Sequence, residues 1–198
     1  MDWLAAAAAT HGDAVAVETR DRTVTYAELN RAANGVASIL AASGSIGAGA
    51  IGFWGDRSVE TIAAVWGIPR AGATAVPVDP GLEPAQAMRL TKRAGVRGLW
   101  VTPEGGLSRL VERGVAFDGE APPEVPYVVF TSGSSGGPKG VRITAGNIAA
   151  AVGGSRSRLG NGPADPWLCV LPLFHIGGLS ILWRQAESGG RVVLHEQF

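Results

Sequence analysis

The chain has 198 residues, and its 17 basic and 17 acidic side chains cancel to a net charge of zero, which argues against a general nucleic-acid binder or a basic membrane-surface protein. With 46% hydrophobic and 17% charged residues it is too apolar to be a disordered chain, and it is long enough for a sizeable core. The single cysteine, Cys169, excludes an intrachain disulfide and a cysteine-based zinc cage, and points to a reducing, cytoplasmic setting. No apolar run approaches the length of a membrane span, and the opening Met1-Asp2-Trp3-Leu4 lacks the basic start of a secretion signal.

Helical and strand-like patterns alternate along the chain. The spacing predicts a helix over 3–10 with Asp2 as its cap, then a hairpin from the β-prone runs 15–19 and 23–25. From Tyr26 a longer helix follows, with Leu29, Ala33, Val36 and Leu40 at helical spacing, ending in the glycine-rich stretch 44–49. A strand over 51–54, a helix over 58–71, a strand over 73–78, a helix over 84–94 and a strand over 99–101 come next. The polar, proline-rich segment 114–126 reads as a loop or a link between structural halves. Beyond it are a strand over 127–130, a helix over 144–152 capped by Thr144, a strand over 168–171, a helix over 177–187 and a strand over 191–194. This rhythm implies an α/β fold with parallel or mixed sheets flanked by helices, because parallel neighbours need crossover connections. Ligands bind beyond the carboxyl ends of such strands, so the loops after strands are where chemistry is expected.

One such loop stands out. After Phe130 the chain reads Thr131-Ser132-Gly133-Ser134-Ser135-Gly136-Gly137-Pro138-Lys139-Gly140-Val141. Glycines let the backbone approach a ligand, amides and hydroxyls surround phosphate oxygens, and a lysine offsets their charge. A flexible surface loop is the bland alternative, but such a loop seldom ends in Pro-Lys-Gly before an apolar run. A Walker-type loop fails, because Pro138 and Gly140 stand where a glycine and a Ser or Thr are needed. The stretch 133–137 also matches the Gly-x-Ser-x-Gly nucleophile elbow, which with Asp165 and His175 keeps a serine hydrolase acting through Ser135 as a remote alternative.

The loop 131–141 resembles the phosphate-binding signature of the AMP-forming adenylating enzymes, the superfamily of acyl-CoA synthetases and peptide-synthetase adenylation domains. Two further segments agree in order: Thr25-Tyr26-Ala27-Glu28-Leu29 is similar to the family's Thr-Tyr-x-Glu-Leu element, and 70–79 to its Ala-Gly-x-x-x-x-Pro-hydrophobic-Asp element. The run 171–182, Leu-Pro-Leu-Phe-His-Ile-Gly-Gly-Leu-Ser-Ile-Leu, is similar to the o-succinylbenzoate–CoA ligases of menaquinone biosynthesis; other acyl- and aryl-CoA ligases share its Pro-Leu-Phe-His portion.

The resemblance implies an acid–thiol ligase that uses ATP, Mg²⁺ and coenzyme A to turn a small carboxylic acid into an acyl adenylate and then a thioester. It implies that Thr131, Ser132, Ser134, Ser135 and Lys139 contact the β- and γ-phosphates, with Gly133, Gly136, Gly137 and Gly140 shaping the loop. Lys139 and His175 are its candidate catalytic residues. His175 would lie between the nucleotide and the acid, as a pocket wall or as an acid/base. Gly177 and Gly178 would leave room for a flat aromatic substrate, and Arg184 would meet a distal carboxylate, unless it is a solvated arginine on a helix face. No metal ligand is assigned. Family members run on for several hundred residues, so the expectation is the N-terminal part of an AMP-binding domain, without the lysine-bearing C-terminal domain and inactive alone. A non-catalytic phosphate-binding or interaction module of the same half-fold is the alternative, with self-association through an open sheet edge.

Overall fold

Short β-prone runs and amphipathic helices assemble as two sheets that share helices between them. The computed structural model describes residues 2–43, 49–54, 57–101, 109–112, 125–131 and 138–195. In chain order the elements are Trp3–Thr10 (α1), Val15–Glu18 (β1), Thr23–Thr25 (β2), Tyr26–Ala42 (α2), Ala50–Trp54 (β3), Val59–Arg70 (α3), Thr74–Val78 (β4) and Pro84–Arg93 (α4). Val96–Val101 (β5), Arg109–Glu112 (β6), Tyr127–Thr131 (β7), Lys139–Ile143 (β8), Ala145–Leu159 (α5), Trp167–Cys169 (β9), Ile176–Ser188 (α6) and Val192–Leu194 (β10) complete them.

The smaller sheet runs β2-β1-β10-β9 and the larger one β6-β5-β3-β4-β7-β8. Both are parallel at heart with antiparallel flanks: β1 with β2, β5 with β6 and β7 with β8. The mixed α/β class and the 15–25 hairpin expected from the sequence are therefore present. Two strands were not anticipated. Arg109–Glu112 is short and charged, and Lys139–Ile143 takes in residues 139–141 of the stretch expected as the phosphate loop. Helix α5 also runs past Gly153-Gly154 to Leu159, where Gly160 at φ 65° ends it. Of the expected link at 114–126, residues up to 124 lie outside the described ones. Its last two, Val125 and Pro126, are stitched to β4: Thr74 Oγ1 donates to the Val125 carbonyl and the Ala75 amide to the Pro126 carbonyl, each at 2.8 Å.

The Thr-Tyr-x-Glu-Leu element proves to be architecture. Thr25 caps α2 by accepting from the Glu28 amide (3.2 Å), while the Glu28 carboxylate accepts from the Thr25 amide (2.8 Å), a reciprocal capping box. Those bonds hold the exposed Glu28 carboxyl below its usual range. Leu29 enters the core one turn on. Between them the buried Tyr26 hydroxyl stands 2.8 Å from the Gln185 carbonyl and 2.5 Å from the Gly190 carbonyl, at the far end of α6. Burial pushes its phenol well above the ordinary value, so it stays a donor.

Arg70, at the end of α3, is held by Asp2 (2.6 and 3.1 Å) and by Asn34 Oδ1 (2.8 Å). Desolvation would raise the Asp2 carboxyl, but its bonds from Arg70 and the Ala5 amide, together with the Arg70 charge, hold it low. Among the described residues no helix is long and apolar enough to cross a membrane.

Tyr26→Phe removes the hydroxyl shared by the Gln185 and Gly190 carbonyls, of which that of Gln185 keeps the Gly190 amide (2.9 Å), and should cost about 1–2 kcal/mol. In urea denaturation this lowers the midpoint at constant slope; an unchanged midpoint would show that the tyrosine does not tie α2 to α6.

Candidate functional site

Strand β4 is buried along its whole length, yet it contains a proline. In a parallel ladder alternate residues address alternate neighbours: Thr74 donates to Gly49 on the β3 side, and Ala75 to Pro126 on the β7 side. Pro77 is the next residue aimed at β7, and it has no amide hydrogen to give. The β4–β7 pairing is recorded at Ala75 and Tyr127 alone, and beyond it lies a cleft of about 220 Å³. Its walls are Pro77, Val78, Asp79 and Leu82 from the end of β4, Leu90 from α4, Phe130, Thr131 and Pro138 from the β7–β8 hairpin, and Phe174 and His175.

The hairpin closes on the antiparallel pair Thr131–Lys139. Between its two strands Ser132, Gly133, Ser134, Ser135, Gly136 and Gly137 lie outside the described residues. Thr131 and Pro138 flank that segment, and both border the cleft. Register places Thr131 and Lys139 on the sheet face shared with Tyr127 and Val129, the face that α6 covers through the Tyr127–Trp183 ring contact (centroids 5.1 Å apart). Lys139 is exposed, and no described carboxylate pairs with it. Gly140 does not shape a loop. It sits in β8 opposite Phe130, and a Cβ there would stand 3.4 Å from the Phe130 ring and 3.1 Å from Val128 Cγ1. The missing side chain lets the Phe130 ring lie across the edge strand and reach the cleft.

His175 is the N-cap residue of α6, but its side chain makes no capping bond. Its ring is exposed, tilted 49° to that of Phe174 with centroids 4.5 Å apart, and no described carboxylate pairs with it. The turn before it closes when the His175 amide donates to the Pro172 carbonyl (3.2 Å). That carbonyl also explains Gly178: a Cβ at this position would stand 2.3 Å from the Pro172 oxygen. Gly178 is therefore a packing residue, and the room expected beside it for substrate is already filled. At Gly177 a Cβ would meet the Leu171 side chain at 2.8 Å.

Arg184 is nine residues along α6 from His175, about 13 Å by helical rise. It stacks on the Trp167 ring (5.1 Å to the centroid) at the other end of β9, and it is not among the cleft residues. The serine-hydrolase alternative fails on similar grounds. The Asp165 carboxylate accepts from the Gly162 amide (2.8 Å), and the Asp165 carbonyl accepts from Gln185 (2.7 Å), ten residues along α6 from His175. That is about 15 Å away, too far for a triad. Cys169 is buried, and desolvation pushes its thiol up to about 11, which leaves it inert at neutral pH. Sequence reasoning did not single out Asp79, Phe130 or Phe174 as cleft residues, although all three lie in or beside the motifs it quoted.

A second hollow of about 230 Å³ lies beside Trp3, Trp66, Tyr127 and Trp183. Of its polar groups, Asp2 is engaged by Arg70 and the Tyr127 hydroxyl by the Val65 carbonyl (2.9 Å), while the buried Trp183 Nε1 has no described hydrogen-bond partner. It receives no residue of the phosphate loop, so the first cleft is the candidate site.

The chain matches the model of the AMP-binding enzyme family over residues 4–122 and 114–198. It belongs to that family. Tyrocidine synthase 3 of Brevibacillus parabrevis is 29% identical over 93% of this chain, which spans 3% of that protein. The 2-succinylbenzoate–CoA ligase of Bacillus mycoides is 28% identical over 98% of the chain, here 43% of the relative. Among solved structures, the o-succinylbenzoate CoA synthetase of Bacillus subtilis in complex with the acyl-adenylate intermediate OSB-AMP superposes with a TM-score of 0.85. It is 28% identical, and the match covers all of this chain and 56% of that one. The same enzyme is also known in complex with ATP and magnesium ion (TM-score 0.84, 27% identity, 99% and 57% coverage). The chain thus spans about half the length of these ligases or less.

Gly178→Ala forces α6 away from the Pro172 carbonyl and should cost about 1–3 kcal/mol. Chemical denaturation reads the loss, and full retention of stability would mean that the helix start can yield.

Proposed function

We propose that this chain supplies the polyphosphate grip and part of the acid pocket of an AMP-forming acid–thiol ligase that joins o-succinylbenzoate to coenzyme A. One observation carries the reading: a single cleft is bordered by both ends of the Ser/Gly-rich turn, the Pro77–Asp79 strand end and His175. Similarity to 2-succinylbenzoate–CoA ligases, one of them solved with an acyl adenylate, supports the choice of reaction. Apart from Asp79, Thr131 and His175 the lining is apolar, with the Phe130 and Phe174 rings in it, which suits a flat aromatic acid.

In this reaction the substrate carboxylate attacks the α-phosphorus of ATP, the bond to the pyrophosphate oxygen breaks, and the acyl adenylate forms. The coenzyme A thiol then attacks the acyl carbon and AMP leaves. The acid brings its own nucleophile, so the protein's work is positioning and charge neutralisation. Lys139 places a cation where pyrophosphate charge develops, Thr131 and the turn it opens offer hydroxyls and amides to the phosphate oxygens, and His175 with Phe174 walls the acid beside them. Among the described residues no three His, Cys, Asp or Glu gather into a metal site, and Asp79 is the one described carboxylate on the cleft. A magnesium ion fits here as a passenger on the phosphates, where it would neutralise charge on the leaving pyrophosphate.

Lys139→Ala should weaken ATP and pyrophosphate binding by about 10–100-fold, the scale of one charge-assisted contact. Calorimetric titration of the purified chain measures this, and an unchanged affinity removes the loop from the mechanism. Given o-succinylbenzoate, ATP and coenzyme A, the full-length polypeptide should form the thioester, while this chain alone should show little or no acid-dependent pyrophosphate exchange. A preference for another acid, or for an amino acid as in a peptide synthetase, would move the substrate assignment and leave the phosphate grip standing.

A further inference from the structure

The His175 wall reaches the cleft at the end of a weakly held segment. Among the described residues strand β9 pairs on one side alone, with β10, through Trp167, Leu168 and Cys169. Its last carbonyl, that of Cys169, accepts from the His195 amide (3.1 Å). The chain then leaves the smaller sheet and crosses toward the larger one through Val170, the exposed Leu171, Pro172 and the buried Leu173. No ladder holds these residues. The Val170 carbonyl, the first beyond the strand, accepts instead from Arg57 Nη1 at 2.5 Å, a bond between residues 113 apart in sequence.

Arg57 belongs to the larger sheet's side of the molecule. It immediately precedes Ser58, the N-cap of α3, in the connection that follows β3. Strand β3 is paired along its length with β4, whose end forms the facing wall of the cleft. The Arg57–Val170 bond therefore ties the segment carrying one wall to the sheet carrying the other. A guanidinium suits the task, because it is always charged, rigid and planar, and its bond to a carbonyl is charge-assisted.

We infer that Arg57 is a positioning residue that sets the separation between the Phe174–His175 wall and the Pro77–Asp79 wall of the cleft. It touches neither phosphate nor acid in this reading; it fixes where His175 stands when they bind. The inference takes its catalytic meaning from the proposed ligase function, while the geometry stands without it.

The test uses the whole 198-residue chain with ring-labelled histidine, whose three imidazoles, His11, His175 and His195, are assigned by single His→Gln variants. Arg57→Met removes the donors and keeps an unbranched stem, whereas Arg57→Lys keeps a cationic donor. In Arg57→Met the His175 ring signals should shift by more than their linewidth while those of His11, the C-cap of α1 packed against Gly189 at the opposite end of α6, stay in place. Arg57→Lys should return them most of the way to wild type. Wild-type His175 signals in Arg57→Met, an Arg57→Lys spectrum identical to that of Arg57→Met, or His11 and His175 moving together would each overturn the inference. ATP titration of the same samples reports on the other question. A wild-type chain that binds no ATP while His175 still answers to Arg57→Met would sink the ligase reading and uphold the positioning role.

Discussion

A parallel sheet closes through its backbone amides, and the six-stranded sheet lacks one at Pro77. Because Ala75 already donates toward β7, the next donor on that side falls at position 77, where a ring takes the place of the hydrogen. The ladder with β7 is not continued past that point, and the cleft lies at the carboxyl ends of the two strands. The Pro-Val-Asp element thus has a physical reading that its resemblance to a family motif does not supply. It ends a ladder beside the cleft, and it leaves β3 and β4 fully paired behind it.

The other wall depends on α6, which is fixed at its C-terminal end by a residue distant in sequence and at its start by the turn that precedes it. At its C-terminal end the Tyr26 hydroxyl reaches the Gln185 and Gly190 carbonyls, and at its start Gly178 rests on the Pro172 carbonyl. Buried Leu179, Ile181, Leu182 and Trp183 hold the span between. A displacement of the helix along its axis would carry His175 with it, since His175 is its cap residue. The hairpin wall is stiffened differently: Gly140 admits the Phe130 ring against the edge strand, and the Thr131–Lys139 pair closes the turn. Three motifs far apart in the chain therefore meet at one place because each terminates an element that the core has already immobilised.

Most of this fold was legible because its elements carry local signals. Thr25 and Glu28 announce the start of α2, Ser58 and Thr144 cap α3 and α5, and the alternation of apolar strands with amphipathic helices implies the sheets. What escaped was set by pairing. Lys139–Ile143 has two charged residues and a glycine in five positions, and it becomes a strand because β7 offers it an edge. The site was legible as a set of motifs, but the roles of single residues within them were not. Gly178 looked like room for substrate and is packing, Arg184 looked like a carboxylate partner and stacks on Trp167, and Asp165 stands at the wrong end of α6 for any partnership with His175. Each of these depends on which end of a helix a residue occupies relative to a strand, and no local pattern encodes that.

Near-equal identity to a peptide synthetase and to a CoA ligase, 29% and 28%, means that overall similarity does not choose the acid. The choice falls to the side chains that a substrate would touch. An amino acid brings an ammonium group that needs a carboxylate or carbonyl partner at depth, and the one described carboxylate on this cleft, Asp79, is only half-buried, just past the end of β4. A flat aromatic acid asks for apolar walls and ring edges, which Leu82, Leu90, Phe130 and Phe174 provide. Under the proposed reaction the same economy explains why no described carboxylate pairs with His175: with the nucleophile supplied by the substrate, the imidazole need not be polarised as a base, and its position is what the surrounding packing sets.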